Sequence, residues 1–155
     1  MDIKKYIIDQ KKLDLERMII AWQWLAGKDK TVMLITKMGH LLLTDAAGIL
    51  YFLNTEEGSM ETLSNFQADF FNNKLSAEQY FEIFQPELIK DLEAEGKQLK
   101  EAQVFAYSRL PSSGRPIQLK NRQAANVYEY FDKTGVLHKE LNDLLEAEQA
   151  KQEKL

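Results

Sequence analysis

Apolar side chains recur at helical spacing in the first part of the chain, between Leu13 and Gly27. They form one stripe of an amphipathic helix, with members three or four positions apart, at positions 15, 18, 19, 22, 25 and 26. Gly27 suits the position just after this helix, because glycine adopts left-handed backbone angles at low cost. Trp22 lies on the stripe, whereas Trp24 points about 200° away from it. We expect Trp24 to cap a neighbouring element or to lie on a contact surface.

The pattern then changes to short runs of β-branched and apolar residues without a helical period. These runs predict antiparallel strands joined by turns, over residues 31–38, 40–45, 48–54 and 59–64. Asp45 and Gly48 fit the two ends of one hairpin turn, since aspartate starts turns and glycine accepts a positive φ. We expect a meander of three or four strands.

His40 and Asp45 raise the question of a catalytic pair, because they stand close together in the second of these strands. Side chains alternate between the two faces of a strand, so this spacing sends the two groups to opposite faces. They are separated by about 16 Å along the strand, at ~3.3 Å per residue. We therefore interpret both residues as parts of the sheet.

The second half of the chain is predominantly helical. Ser64 and Ser76 each stand three residues before a glutamine, which is the spacing of a capping box and predicts a helix start at both. Pro86 suits the first turn of a further helix that ends near Gly96. These three starts predict three successive helices.

A further strand is predicted over residues 102–110, followed by a loop that holds two of the three prolines. The last helical region carries apolar residues at mostly helical spacing, and Gly135 is expected to break it into two helices. Residues 146–155 are a polar helical tail. The expected fold is α+β: an antiparallel meander of about four to five strands, packed with the N-terminal tryptophan-containing helix and several C-terminal helices.

Length and composition indicate one domain over residues 1–155, with its core at about 13–145. The chain has 155 residues, of which 45% are hydrophobic and 28% charged, which is typical of a soluble globular protein. It has no cysteine, which excludes disulfides, thiolate metal sites and a cysteine nucleophile. No apolar run approaches the ~20 residues of a membrane-spanning helix, and the N-terminus does not match a secretion signal. We expect a cytoplasmic protein.

Catalytic and metal-binding motifs are sparse. The sequence has no nucleophile elbow, no glycine-rich phosphate loop and no closely spaced pair of histidines. We therefore expect no catalytic, cofactor-binding or metal-binding residues, and we interpret His138 as a core histidine at the edge of a buried helix face. An enzyme with carboxylate acid/base chemistry remains an alternative, as does a homo-oligomeric structural protein.

Acidic residues concentrate on the predicted helices between positions 78 and 95. The candidate docking residues for a basic partner form what we call the acidic ridge, namely Glu78, Glu82, Glu87, Asp91 and Glu95. A spacing of four aligns side chains along a helix face, and a concentrated negative field accelerates encounter with a basic protein. A solvated helix face is the simpler interpretation of the same pattern.

A basic segment follows, in which no acid occurs between Glu101 and Glu129. Its cations are Arg109, Arg115, Lys120 and Arg122. Such a segment can contact phosphates, but the net charge of -4 and the shortage of aromatic neighbours disfavour nucleic-acid binding. We expect an ordinary exposed loop here, with a secondary role in partner contact.

Several motifs occur together in one order along the chain. They comprise the tryptophan helix at Trp22 and Trp24, a strand led by glycine at 39–43, the Asp45–Gly48 turn, the apolar-aromatic strand at 49–53, the segment 102–114, and the closing Gly135, His138 and Leu141. In this order they resemble the immunity-protein domain of bacterial type VI secretion systems, which is the C-terminal module of DNase-immunity proteins. The resemblance covers roughly residues 13–145.

This resemblance implies a cytoplasmic, non-enzymatic protein that needs no cofactor and neutralises a toxic effector by binding it directly. If the effector is a nuclease, its DNA-binding cleft is basic, and the acidic ridge offers a complementary surface. The family pattern does not designate the ridge residues, so their role is our hypothesis from charge alone.

Overall fold

The computed structural model describes residues 3–64, 75–107 and 122–153. The helices are the 3₁₀ turn Ile3–Tyr6, α1 Leu15–Ile19, the 3₁₀ turn Ile20–Trp22, α2 Gln23–Ala26, α3 Ala77–Phe84, α4 Pro86–Ala94 and α5 Val127–Glu153. The strands are β1 Thr31–Ile35, β2 Leu41–Thr44, β3 Leu50–Asn54, β4 Ser59–Ser64, β5 Gln103–Tyr107 and β6 Arg122–Asn126. The fold is α+β, as the sequence predicted. No helix in the described ranges is both long and apolar enough to cross a membrane.

The N-terminal helix consists of consecutive turns of different type instead of one regular helix. It begins where the Asp14 side chain accepts the Arg17 N–H, and it ends at Gly27 with a φ of 82°. Between α1 and α2 the chain winds into a 3₁₀ turn, which is tighter than an α-helix and changes the direction of later side chains.

Trp24 covers the side of a neighbouring helix, which agrees with the first of the two alternatives that the sequence left open, contact with a neighbouring element. Its ring stacks on Trp22 with centroids 5.9 Å apart, and its indole N–H donates to the carbonyl of Gly135 over 3.2 Å. The tight turn before Trp24 brings the two indole rings together, whereas a regular helix would separate them.

The meander of four antiparallel strands is confirmed, in the order β1-β2-β3-β4. Leu41, Leu43 and Leu53 face a core shared with the N-terminal helix and α5. Leu42 and Phe52 alternate with them and face a second core that includes Ile83 and Phe84 of α3. Because both faces are covered at the centre of the sheet, β2 and β3 are nearly continuous apolar runs, whereas β4 at the edge carries exposed polar residues.

The strand predicted over 102–110 is present as β5, but it does not join the meander. It pairs with β6 in a separate two-stranded sheet. The sequence analysis missed β6, because its residues Arg122–Asn126 include two alanines and an asparagine, which have low strand propensity. Pairing with β5 makes this segment a strand.

The predicted starts of two later helices are confirmed. The capping box at Ser76 is complete: its hydroxyl accepts the Gln79 N–H, and the Gln79 side chain accepts the Ser76 N–H. Pro86 lies in the first turn of α4, which ends at Ala94, just before Gly96. The helix predicted after Ser64 falls on residues outside the described ranges.

The predicted break at Gly135 is wrong, because α5 is one helix from Val127 to Glu153. Gly135 has a packing role instead. A Cβ at this position would lie 2.6 Å from the carbonyl oxygen of Ala21, so glycine permits close contact between α5 and the N-terminal helical segment. The buried face of α5 ends at His138, and Leu144 and Leu145 beyond it are 64% and 63% exposed.

Candidate functional site

A cluster of charged side chains lies inside the protein where β2, the turn between β3 and β4, and β6 meet. Arg122 is fully buried, and its Nη2 donates to Glu56 Oε1 over 2.7 Å. His40 is also buried, and its Nε2 lies 3.6 Å from the same oxygen. We call His40, Glu56 and Arg122 the buried charge cluster.

The turn between β1 and β2 places His40. The N–H of Gly39 donates to the carbonyl of Thr36, with Gly39 at a φ of 82°, and the N–H of His40 donates to the Thr36 hydroxyl over 3.0 Å. The His40 ring then packs edge-on against Phe52, with centroids 5.5 Å apart. Asp45 instead accepts the Tyr51 hydroxyl on the opposite face, so the two residues are separated as predicted.

The turn between β3 and β4 places Glu56. The Asn54 side chain accepts the N–H groups of Glu56 and Glu57 over 3.0 and 3.1 Å. The backbone carbonyl of Asn54 accepts the N–H of Gly58. This tight turn directs Glu56 inward, where it is 6% exposed, while its neighbour Glu57 stays exposed.

Uncharged groups complete the network around the His40 ring. The N–H of Thr55 donates to His40 Nδ1 over 3.3 Å, and the Thr55 hydroxyl donates to the carbonyl of Gly39 over 2.6 Å. The hydroxyl of Tyr130 lies 2.9 Å from that of Thr55. Because Nδ1 accepts a hydrogen bond, we infer that the ring proton is on Nε2, which faces Glu56.

Burial sets the charge states of the titratable rings in this network. Removal from water lowers the pKa of His40, and the nearby Glu56 carboxylate opposes this change only in part. Burial likewise raises the pKa of the Tyr130 hydroxyl above its ordinary value. At neutral pH the cluster therefore holds a neutral histidine beside a Glu56–Arg122 ion pair.

The buried charge cluster joins distant parts of the chain and is closed to solvent. It connects two turns of the meander to β6, and through Thr55 and Tyr130 it reaches α5. Neither of two surface clefts, of about 510 and 520 Å³, is lined by a member of the cluster. All three side chains are buried, with Glu56 the most exposed at 6%, and their contacts link segments that are far apart in the chain.

The expectation of an exposed basic loop is wrong for Arg122. This residue starts β6, and its guanidinium group lies in the interior beside Glu56. The other three members of the predicted segment, Arg109, Arg115 and Lys120, lie outside the described residues. Sequence analysis also missed Glu56, because two successive glutamates in a turn do not reveal which one points inward.

The acidic ridge is exposed at all five positions, but it is divided between two helices. Glu78 and Glu82 share a face of α3, whereas the other three residues belong to α4 and its end. Between the helices Gln85 adopts a left-handed conformation with a φ of 47°. Glu95 has a cation nearby, since its carboxylate lies 3.6 Å from Lys97 Nζ. The ridge is therefore not one continuous helix face.

Two acids outside the ridge extend its first half. Partial removal from water raises the pKa of Glu82, and the charges of Glu61, Glu57 and Glu78 raise it further. None of these four carboxylates forms an ion pair within the described part of the chain. We call Glu57, Glu61, Glu78 and Glu82 the acidic face. Phe81 lies on α3 between the last two of these residues and is 53% exposed.

No protein-family model matches this chain, and no curated protein matches it significantly. Across residues 3–64, 75–107 and 122–153, no group of three or more histidine, aspartate or glutamate side chains is arranged to hold a metal ion. Function therefore has to be inferred from two features of the structure, the buried charge cluster and the acidic face.

Proposed function

We propose that this chain is a non-enzymatic binding protein that neutralises a basic effector protein by docking it on the acidic face. The observation that supports this proposal most strongly is the exposure of Phe81 between Glu78 and Glu82. Interfaces commonly combine an aromatic side chain, which is buried on binding, with charged groups at the rim. Phe81 and its neighbouring carboxylates have this composition.

Electrostatics supports the same surface. Like charges held close together destabilise the free protein slightly. The pKa of Glu82 is raised first by partial removal from water and then by this repulsion. A basic partner relieves the repulsion and is attracted over a distance of about one Debye length, ~8–10 Å. We expect the acidic face to act chiefly on the association rate.

The class of effector follows from the family resemblance of the sequence. An immunity protein of a type VI secretion system protects its own cell from a toxin, and a nuclease toxin needs a basic cleft to hold DNA. Such a protein acts in the cytoplasm, where the toxin meets its substrate. On this proposal the chain carries out no reaction, and the buried charge cluster supports the fold.

The test measures binding to a purified basic nuclease toxin, chosen from any effector gene that is found beside the gene for this chain. The double variant Glu78→Lys with Glu82→Lys is expected to lower the association rate constant by about tenfold or more at low salt. The salt dependence of that rate should also become shallower, because fewer charges take part. Stopped-flow fluorescence over a salt series gives both quantities.

A matched control carries the same change in net charge on another surface. Glu140→Lys with Glu153→Lys alters two exposed residues of α5 that form no ion pair with described residues. This control should retain most of the association rate and should protect cells that express the toxin. Equal rates for the wild type, the acidic-face variant and the control would contradict the proposal.

A second candidate function is self-association, because α5 continues beyond the core with exposed apolar residues. Val136 and Leu137 are 54% and 37% exposed, and Leu144 and Leu145 are more exposed still. An isolated helix of this length is marginally stable in water, and a second copy could cover it. Light scattering after size exclusion distinguishes a monomer from a dimer, and Leu144→Glu with Leu145→Glu should make a dimer dissociate.

A further inference from the structure

The two edges of the four-stranded sheet differ in how the chain covers them. The outer edge of β1 is covered by the N-terminal segment over residues 7–10. Ile7 forms a bridge to Thr36, and the N–H of Ile8 donates to the carbonyl of Ile35 over 3.0 Å. The Gln10 side chain then donates to the carbonyl of Met33 over 3.1 Å. These contacts occupy backbone groups that would otherwise bind another strand.

The opposite edge is β4, and no segment of the described chain pairs with its outer side. The strand is regular from Ser59 to Thr62, opposite Asn54 to Tyr51, and the register shifts only at its far end. Three of these four side chains, Ser59, Glu61 and Thr62, are exposed. β4 has no proline, and Glu61 is its single charged residue. It therefore lacks most of the features with which natural edge strands avoid pairing.

The charge beside this edge indicates what can pair with it. Glu61 is opposite Phe52, whose side chain belongs to the core on the α3 side of the sheet. Glu61 therefore points to the same side as Glu82, and the two carboxylates repel each other. In an added strand, every second side chain would point to this side of the sheet, and the nearest of them would lie next to Glu61. Lysine or arginine is favoured at those positions, and acidic residues are disfavoured.

We propose that the partner adds an extended, basic segment to the outer edge of β4, with lysine or arginine at alternate positions facing α3. Backbone hydrogen bonds to β4 supply affinity, and the acidic face selects the sequence. This inference rests on the proposed function for the basic character of the partner, and it specifies the mode of binding. Phe81 is available to contact apolar residues next to the added strand.

The experiment uses the full chain and a synthetic heptapeptide in which lysine alternates with threonine. A second peptide has the same sequence with N-methyl groups on alternate residues, which remove the hydrogen-bond donors along one edge and leave the charge unchanged. Amide hydrogen exchange by NMR reports on β4 residue by residue. We expect the first peptide to slow exchange of outward-facing amides between Ser59 and Thr62 by about tenfold. The methylated peptide should not.

The variant Glu61→Lys is expected to weaken binding of the unmethylated peptide by about tenfold, whereas Glu140→Lys on α5 should leave binding unchanged. If both peptides bind equally well and the β4 amides are not protected, strand addition is overturned. Docking on the acidic face by charge attraction would still be consistent with that result. Absence of any peptide effect on β4 would also overturn strand addition. If the toxin binds equally well after Glu78 and Glu82 are replaced, the proposed function is contradicted. Strand addition to β4 is tested separately by the peptides and is not affected by that result.

Discussion

Glu56 and Glu57 are consecutive in the chain, but they belong to opposite environments. Glu56 lies in the interior, 2.7 Å from the guanidinium of Arg122, whereas Glu57 is exposed and belongs to the acidic face. Both N–H groups donate to the Asn54 side chain, and the tight turn that these bonds hold directs the Glu56 side chain inward. In the interior a carboxylate has a fixed partner and contributes to stability. Glu57 forms no ion pair with another described residue, and in the proposed function it contributes to recognition.

The largest effect is expected from breaking the buried ion pair. Arg122→Met leaves the Glu56 carboxylate buried without its guanidinium, which should lower the free energy of unfolding by about 3–5 kcal/mol. Urea denaturation measures this loss. The double variant Arg122→Met with Glu56→Leu removes the uncompensated charge and should be more stable than Arg122→Met alone. If the single and the double variant are equally stable, burial of an unpaired Glu56 carboxylate is not the cause of the lost stability.

A smaller loss is expected at the turn that places His40. In Gly39→Ala the new Cβ would lie 2.5 Å from the Tyr130 ring, at a backbone φ of 82°. Gly48→Ala is the matched control, because Gly48 has a φ of 81° but no atom within 4 Å of the added Cβ. The control should lose about 1–2 kcal/mol from backbone strain alone. Gly39→Ala should lose more in thermal unfolding, and the difference between the variants measures the contact with Tyr130.

The buried histidines should make stability depend on pH. Burial lowers the pKa of His40 and of His138 in the folded chain below the ordinary value of 6.5. As the pH falls through 6.5, the unfolded chain binds protons that the folded chain does not, so the free energy of unfolding decreases. The decrease levels off only below the folded pKa values. Each histidine contributes at most about 1.4 kcal/mol per pH unit.

His40→Leu should make this decrease between pH 6.5 and 5.5 shallower, and His138→Leu should do the same independently. Urea titrations at several pH values measure the slopes. The His138 variant leaves both the His40–Glu56 contact and the Glu56–Arg122 ion pair in place, so it is the control for the cluster. A slope that neither variant alters would contradict the assignment of two neutral buried histidines.

The smallest effect on stability is expected on the acidic face. Glu82→Gln removes a charge that Glu57, Glu61 and Glu78 repel, so stability should stay the same or rise slightly, within about 0.5 kcal/mol. Calorimetry at pH 7 measures the change in Tm. Glu56→Gln is the comparison, because the same chemical change in the interior should lower Tm clearly. Similar Tm values for Glu82→Gln and Glu56→Gln would contradict the conclusion that only the buried carboxylate contributes to stability.

Much of the fold could be predicted because its signals are local. The hairpin turn at Asp45 and Gly48, the capping box at Ser76 and the helix start at Pro86 each depend on residues a few positions apart. Conformational preference and nearby hydrogen bonds decide such features. The continuous apolar runs of β2 and β3 also indicated strands, since both faces of the sheet are buried at these central strands.

The sequence by itself determined the α+β class, the meander and the approximate helix positions. Tertiary structure decided that Arg122 belongs to a strand, that Gly135 lies inside a continuous helix, and that Trp24 packs against the side of α5. It also assembled the buried charge cluster from residues that are far apart, since Glu56 and Arg122 are separated by 66 positions. A charged side chain can be buried only where another segment supplies its partner. Which segments come together depends on the whole fold, and local patterns of apolar residues and turns do not reveal it.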